Sequence, residues 1–212
     1  MTIVKRPSSD PLTAWLESRA APRTVTLGAA LRVMGPTGFG RVLLMLTLPN
    51  VLLIPSLPPL PLIAGIPAVI VAAQMMAGRP HASLPGCAER LSAERGKALR
   101  LARWAVRLGA LARPGRWNWM AGRVANCLLG VTVIAMTALI CLPLPGINFF
   151  PAAGLVVLCV GLAEGDGVVA AVGVALSLLG AAVMALAVYG AALAAARGFV
   201  IPGIPGFSGF LR

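Results

Sequence analysis

Charge is scarce in this 212-residue chain: 11% of its residues are charged and only six are acidic. Soluble domains carry about a quarter charged residues. A soluble fold of this size has too little interior to hide a chain that is 58% hydrophobic. A typical cytosolic enzyme and a disordered chain are both excluded, and an integral membrane protein is the reading left. There is one histidine, His81, and the four cysteines, Cys87, Cys127, Cys141 and Cys159, form no CxxC pair. A zinc or haem site needs several nitrogen or sulfur ligands at suitable spacing, so no metal and no other cofactor is expected. No disulfide is expected either; the cysteines read as small apolar fillers. The first 41 residues hold Lys5, Arg6, Arg19, Arg23, Arg32 and Arg41 but no long apolar core. No secretory signal is therefore expected, and the N-terminus is read as cytoplasmic. No Ser/His/Asp arrangement, phosphate-binding glycine loop or pair of inward carboxylates is legible, so an enzyme is not expected.

What the chain does have is positive charge, proline and glycine. It carries 18 Lys+Arg, a formal net charge of +12, 18 Pro and 24 Gly, with a mean hydropathy of +0.90. No charge occurs between Arg41 and Arg79, between Arg123 and Glu164, or between Asp166 and Arg197. The expected fold is an all-α integral membrane protein organised by these gaps. Residues 1–41 form a cytoplasmic arm with short amphipathic helices, and 42–78 a first broken hairpin. Residues 79–123 form a basic cytoplasmic linker, 124–163 a second broken hairpin, 167–196 a transmembrane helix and 197–212 an interfacial tail.

Prolines interrupt the first two blocks. Pro49, Pro55, Pro58, Pro59, Pro61 and Pro67 lie in the first and Pro143, Pro145 and Pro151 in the second. Proline lacks an N–H and pushes its predecessor out of the helical region, so each block reads as two helices joined by a non-helical turn. Such backbone lies against protein, in a wet cavity or at the interface, never against lipid. Residues 42–54 give about 20 Å of helix and residues 152–163 about 18 Å, short of a ~30 Å hydrocarbon core. Re-entrant hairpins fit these lengths better than four full spans.

The two blocks also resemble each other. Each runs helix, proline-rich turn, Ala-Gly pair (Ala64-Gly65, Ala153-Gly154), helix, then glycine beside charge (Gly78-Arg79, Gly165-Asp166). Interrupted hydrophobic segments at matching places in two halves point to a transporter binding site. Two proline-kinked hairpins with no substrate are the plainer alternative.

Ten of the basic residues fall within 79–123, and short basic loops stay in the cytoplasm. Arg100, Arg103 and Arg107 recur at helical spacing, with Leu101, Trp104, Ala105, Leu108 and Leu111 on another face. This predicts an amphipathic helix lying on the membrane, its arginines suited to anionic head groups. Nucleic-acid binding has no module to sit on and is not expected. In 167–196, Gly173, Ser177, Gly180 and Ala181 permit close helix packing, within the chain or in a homodimer.

The candidate site residues follow from this plan. Asn50 and Asn148 sit in the broken regions, where their amides either bind substrate or satisfy freed backbone groups. Gln74 is expected to bridge helices. Arg41, Arg79, Arg113 and Arg116 border the hairpins, and arginine forks match phosphate. A phosphate-bearing lipid head group is the candidate ligand; topology and nonspecific lipid attraction are the alternative. Glu164 and Asp166 are the only acids after residue 94. They are either proton carriers or members of an exposed turn.

One set of residues, in order, carries a family resemblance over about Thr24 to Val188. It comprises Thr26-Leu27-Gly28, Gly38-Phe39-Gly40, Leu48-Pro49-Asn50, Ile54-Pro55, Gln74 before Gly78-Arg79, and Leu84-Pro85. Arg113-Pro114, Leu142-Pro143-Leu144-Pro145 before Asn148 and Pro151, and Asp166-Gly167 complete it. With these the chain resembles the ExoD family, bacterial membrane proteins associated with exopolysaccharide synthesis. Pro58-Pro59 and the spaced Arg113-Pro114-Gly115-Arg116 depart from the family pattern. The resemblance implies a multi-pass inner-membrane protein that affects polysaccharide output, with polysaccharide synthesis proteins as partners. The duplicated re-entrant design is also similar to families that move polyprenyl phosphate carriers, including the DedA group. Together these imply a transporter or flippase of a phosphate-bearing lipid carrier. A non-transporting scaffold or regulator of a polysaccharide synthesis complex is the alternative.

Overall fold

The computed structural model describes residues 11–18, 22–34, 38–52, 60–79, 82–84, 86–90, 92–113, 115–117, 122–141 and 148–196. The expected turns at 53–59 and 142–147 and the tail 197–212 lie outside the described residues. Helices dominate: α1 (Pro11–Glu17), α2 (Leu27–Met34), α3 (Phe39–Leu52), α4 (Leu60–Met76), α5 (Gly86–Glu89), α6 (Arg95–Gly109), α7 (Arg123–Ile140), α8 (Phe149–Glu164) and α9 (Gly167–Ala196). Among the described residues a short antiparallel ribbon, β1 (Thr24–Thr26) with β2 (Ser92–Glu94), is the one departure from the all-α expectation.

Four apolar helices build the core. Buried Val42, Leu43, Leu46, Val71, Ala72, Leu129, Val133, Ile140, Leu155 and Leu158 come from α3, α4, α7 and α8. The helices exchange partners across the two hairpins: α3 packs on α8, and α4 packs on α7. Glycines set how closely they approach. A side chain at Gly40 would overlap the backbone of Leu162 and Ala163, and one at Gly130 would overlap Met76. These contacts join the first turn of α3 to the last turn of α8, and the end of α4 to the first half of α7. The side chain of Asn148 donates to the Ile140 carbonyl at 3.0 Å, tying the end of α7 to the start of α8. The bundle therefore has one end that gathers the starts of α3 and α7 with the ends of α4 and α8, and a second end that gathers the ends of α3 and α7 with the starts of α4 and α8.

The prolines interrupt less than expected. Pro49 lies inside α3 and Pro67 inside α4. Pro67 withdraws a hydrogen bond from one carbonyl of a helix that is otherwise continuous, a loss that neighbouring helices can accommodate. Pro151 falls in the first turn of α8, where an amide N–H would lack a partner anyway.

Helix α9 lies antiparallel on α8 along a seam of small residues. Gly180 meets Pro151, Ser177 meets Gly154, Gly173 meets Leu158, and Ala170 meets Gly161. Steps of three, four and three along one helix are matched by the same steps along the other. The small-residue face read as a homodimer candidate is thus occupied within the chain. Two helices among the described residues are long and apolar enough to cross a membrane, Arg123–Ile140 and Gly167–Gly190. Their outward faces hold Val124, Leu128, Val131, Leu176, Leu179 and Leu186, all exposed. An uncharged apolar surface of this extent suits lipid and not water.

The N-terminal arm folds onto the basic linker. Leu12, Leu16, Val25, Ala30 and Ala102 form a second small core. The Arg95 guanidinium donates from Nε to the Leu16 carbonyl at 2.7 Å and from Nη2 to the Ser18 carbonyl at 2.9 Å. It thereby satisfies carbonyls at the C-terminus of α1. Thr26 accepts the Ala29 N–H at 3.3 Å and so starts α2.

Candidate functional site

Helix α6 forms where its periodicity predicts, but the face expected to lie on the membrane rests on protein. Leu101, Ala105 and Leu108 pack against the four-helix core. Trp104 instead points outward, with Arg107 stacked on its ring at 5.9 Å. A shallow cavity of about 330 Å3 runs along this outer face, lined by Leu99, Arg100, Arg103, Trp104 and Arg107. Arg103 is occupied by an ion pair with Glu17 at 3.0 Å.

After α6 the chain turns and is tied to the α8–α9 junction. The Arg113 N–H donates to Asp166 Oδ2 at 2.8 Å. The Gly115 N–H donates to the Gly165 carbonyl at 3.2 Å, and the Gly167 N–H to the Arg116 carbonyl at 2.9 Å. Asp166 Oδ1 accepts from the N–H groups of Val168 at 3.0 Å and Val169 at 3.3 Å. Asp166 is thus the N-cap of α9 and the anchor of the preceding basic segment at once. It is fully buried, which corrects the reading of an exposed turn. Its carboxyl is held below the usual carboxylate range, chiefly by the Arg113 N–H. Burial opposes that effect, and the Val169 and Val168 N–H groups and the Arg116 charge reinforce it. Glu164 is half-buried, its carboxylate against Gly109 of α6.

Both second arms end in the same way. Gly78 has φ +71°, the Arg79 N–H reaches the Gln74 carbonyl, and the Gly78 N–H the Met75 carbonyl. Gly165 has φ +69°, and the Asp166 N–H reaches the Gly161 carbonyl. The left-handed conformation that glycine tolerates closes each helix with a Schellman-type cap. Gln74 does not bridge helices. Its amide pairs with Ser83, donating to the carbonyl at 2.8 Å and accepting the N–H at 2.8 Å, and so clamps the segment after α4.

The structure separates the predicted site residues into two groups. Arg41, Arg79, Arg113 and Arg116 are exposed and gather at the end where α3 and α7 begin, with Glu164 and Asp166. Asn148 lies at the other end of α8, about 24 Å away for sixteen helical residues. Asn148 satisfies the freed Ile140 carbonyl, the backbone role open to it. Asn50 lies in α3, and its side chain is outside the described residues. Trp117, which composition suits to a membrane interface, is 65% exposed, and its φ of +52° carried no signal in the sequence. The capping role of Asp166 did carry a signal, an Asp directly before a long apolar run.

The residues that carry the resemblance prove to be joints: Thr26 starts α2, Gly40 seats α3 on α8, Gln74 clamps Ser83 and Asp166 caps α9. The family model for "Exopolysaccharide synthesis, ExoD" matches residues 9–186. The chain belongs to the ExoD family. It is 32% identical over 170 residues to the uncharacterized protein slr1875 of Synechocystis sp., covering 78% of this chain and 80% of that protein. No solved structure matches the chain. Membership implies a part in exopolysaccharide synthesis.

Proposed function

We propose that this ExoD protein is a transporter or flippase of a phosphate-bearing lipid carrier in exopolysaccharide export. It sits multi-pass in the bacterial inner membrane with its basic end in the cytoplasm. The observation that carries the reading is the exchange of partners between hairpins, α3 with α8 and α4 with α7. Each hairpin then contributes one helix to each pair, as a duplicated, re-entrant unit would. Matching glycine caps at Gly78 and Gly165 support the same reading. Arg41, Arg79, Arg113 and Arg116 receive the phosphate at the basic end. Asn50 and Asn148 line the path at the breaks, and Glu164 carries the coupling proton; Asp166, its carboxylate fixed by three backbone N–H groups, is the less suited of the two acids. Helix lengths favour this plan. At 1.5 Å per residue α3 spans about 21 Å and α8 about 24 Å, below the ~30 Å core, whereas the 30 residues of α9 exceed it.

A non-transporting scaffold is favoured by a different observation. Asn148 and Asp166 both spend hydrogen bonds on backbone. Purified protein in sealed vesicles separates the two readings. Flux of a fluorescent polyprenyl phosphate above that of protein-free vesicles is expected, and its absence with folded protein would leave the scaffold. Single cysteines at 50 and 148, in a chain cleared of native cysteines, test the path. Labelling by a small charged thiol reagent and not by a bulky one is expected.

A further inference from the structure

Leu111, Arg113, Arg116 and Trp117 share a short segment that does not behave like an ordinary connecting turn. Leu111 is 77% and Trp117 65% exposed, and both arginines are exposed. Trp117 holds a positive φ that bulky side chains rarely adopt. Strain of this kind persists only where surrounding structure enforces it, and it concentrates at functional sites. Here the enforcement is explicit: hydrogen bonds from Arg113, Gly115 and Gly167 lock the segment to the α8–α9 junction. The lock also fixes its position. The Arg116 carbonyl is bonded to Gly167, the first residue of a span-length helix, and α7 starts at Arg123. The segment therefore sits beside the first residues of two helices long and apolar enough to cross a membrane.

We infer that Arg113, Arg116 and Trp117 form a docking site for a phosphate-bearing lipid head group, with Asp166 as its positioning residue. The two guanidinium groups offer forks to phosphate oxygens. The indole and Leu111 enter the boundary between head groups and acyl chains, where tryptophan is favoured. Asp166 acts through backbone, holding the Arg113 N–H with one oxygen while the other caps α9. The inference shares Arg113 and Arg116 with the proposed function but does not require transport.

The test titrates dioctanoyl phosphatidic acid, and separately inorganic phosphate at matched ionic strength, into the full chain in uncharged detergent. Arg113→Gln with Arg116→Gln should raise the Kd for phosphatidic acid about tenfold, the scale of one charge-assisted hydrogen bond. Arg100→Gln with Arg107→Gln on α6 should change it less than about twofold. Trp117→Gly, which relieves the backbone and removes the ring, should weaken lipid binding while the fold is retained. Asp166→Ser keeps one oxygen to cap α9 but has none left for Arg113. It should weaken binding although it removes a negative charge beside Arg116; tighter binding would mean that net charge alone attracts lipid. Equal loss from the two arginine pairs, or inorganic phosphate binding as tightly as the lipid, would overturn the site. Absent flux with lipid binding intact would remove transport and leave this site standing.

Discussion

The carboxylate of Asp166 and the backbone N–H of Arg113, 53 residues earlier, are joined at 2.8 Å. Through this bond the basic segment that follows α6 and the helix pair α8–α9 become one unit. The same carboxylate caps α9 through Val168 and Val169. Asp166 is therefore placed to hold both the orientation of a span-length helix and the position of the arginines beside it.

Replacing Asp166 by Ala should cost about 2–4 kcal/mol, the sum of a lost N-cap and an orphaned Arg113 N–H. Asp166→Ser should recover roughly the cap, about 1 kcal/mol of that. Thermal unfolding in detergent, followed by circular dichroism, measures both. Equal stability of the Ala and Ser variants would remove the capping role.

Acid should weaken the same joint. The folded carboxyl of Asp166 titrates below its ordinary value, held there first by the Arg113 N–H. Its contribution is therefore complete above the unfolded carboxylate pKa and disappears as pH falls through the lower folded value. Asp166→Asn does not titrate, and its Nδ2 cannot accept the Arg113 N–H. The Tm gap between wild type and Asp166→Asn should be widest above about pH 5 and narrow as pH falls toward 3. A gap constant across that range would mean that folding does not lower the pKa of the Asp166 carboxyl.

The α8–α9 seam predicts opposite signs for two chemically identical changes. At Gly173 an added methyl would overlap the Leu158 backbone, whereas at Gly190 nothing lies within 4 Å. Gly173→Ala should destabilise by about 1–3 kcal/mol through overpacking. Gly190→Ala should stabilise by about 0.5–1 kcal/mol through helix propensity. If both variants stabilise, the helices are not in close contact at Gly173.

Much of the plan was legible in residue order. The charge gaps located the apolar helices, the spacing of Arg100, Arg103 and Arg107 located α6, and the Gly78-Arg79 and Gly165-Asp166 pairs marked two helix ends. Which faces meet was not legible. The face of Leu101, Ala105 and Leu108 has the composition to lie on lipid or on protein, and only the presence of the four-helix core decides between them. Gln74 read as a helix bridge because its polarity at an apolar position demands a partner; that the partner is Ser83, nine residues on, depends on how the chain folds back after the cap at Gly78. The strain at Trp117 leaves no trace in composition, because it is imposed by bonds to residues about fifty positions away.

Arg95 tests how firmly the N-terminal arm is held. Its fork reaches the Leu16 and Ser18 carbonyls across 79 and 77 residues of sequence. Lysine carries the charge but not the planar pair of donors, so Arg95→Lys should restore little of what Arg95→Gln loses. Loss of one to two charge-assisted bonds should speed amide exchange in residues 11–18 about tenfold or more in either variant, by local opening of α1. Arg103→Gln removes only an exposed ion pair with Glu17 and should change exchange there by less than about fivefold. A similar response to Arg95→Gln and Arg103→Gln would mean that general charge, and not the guanidinium cap, retains α1 against the linker helix.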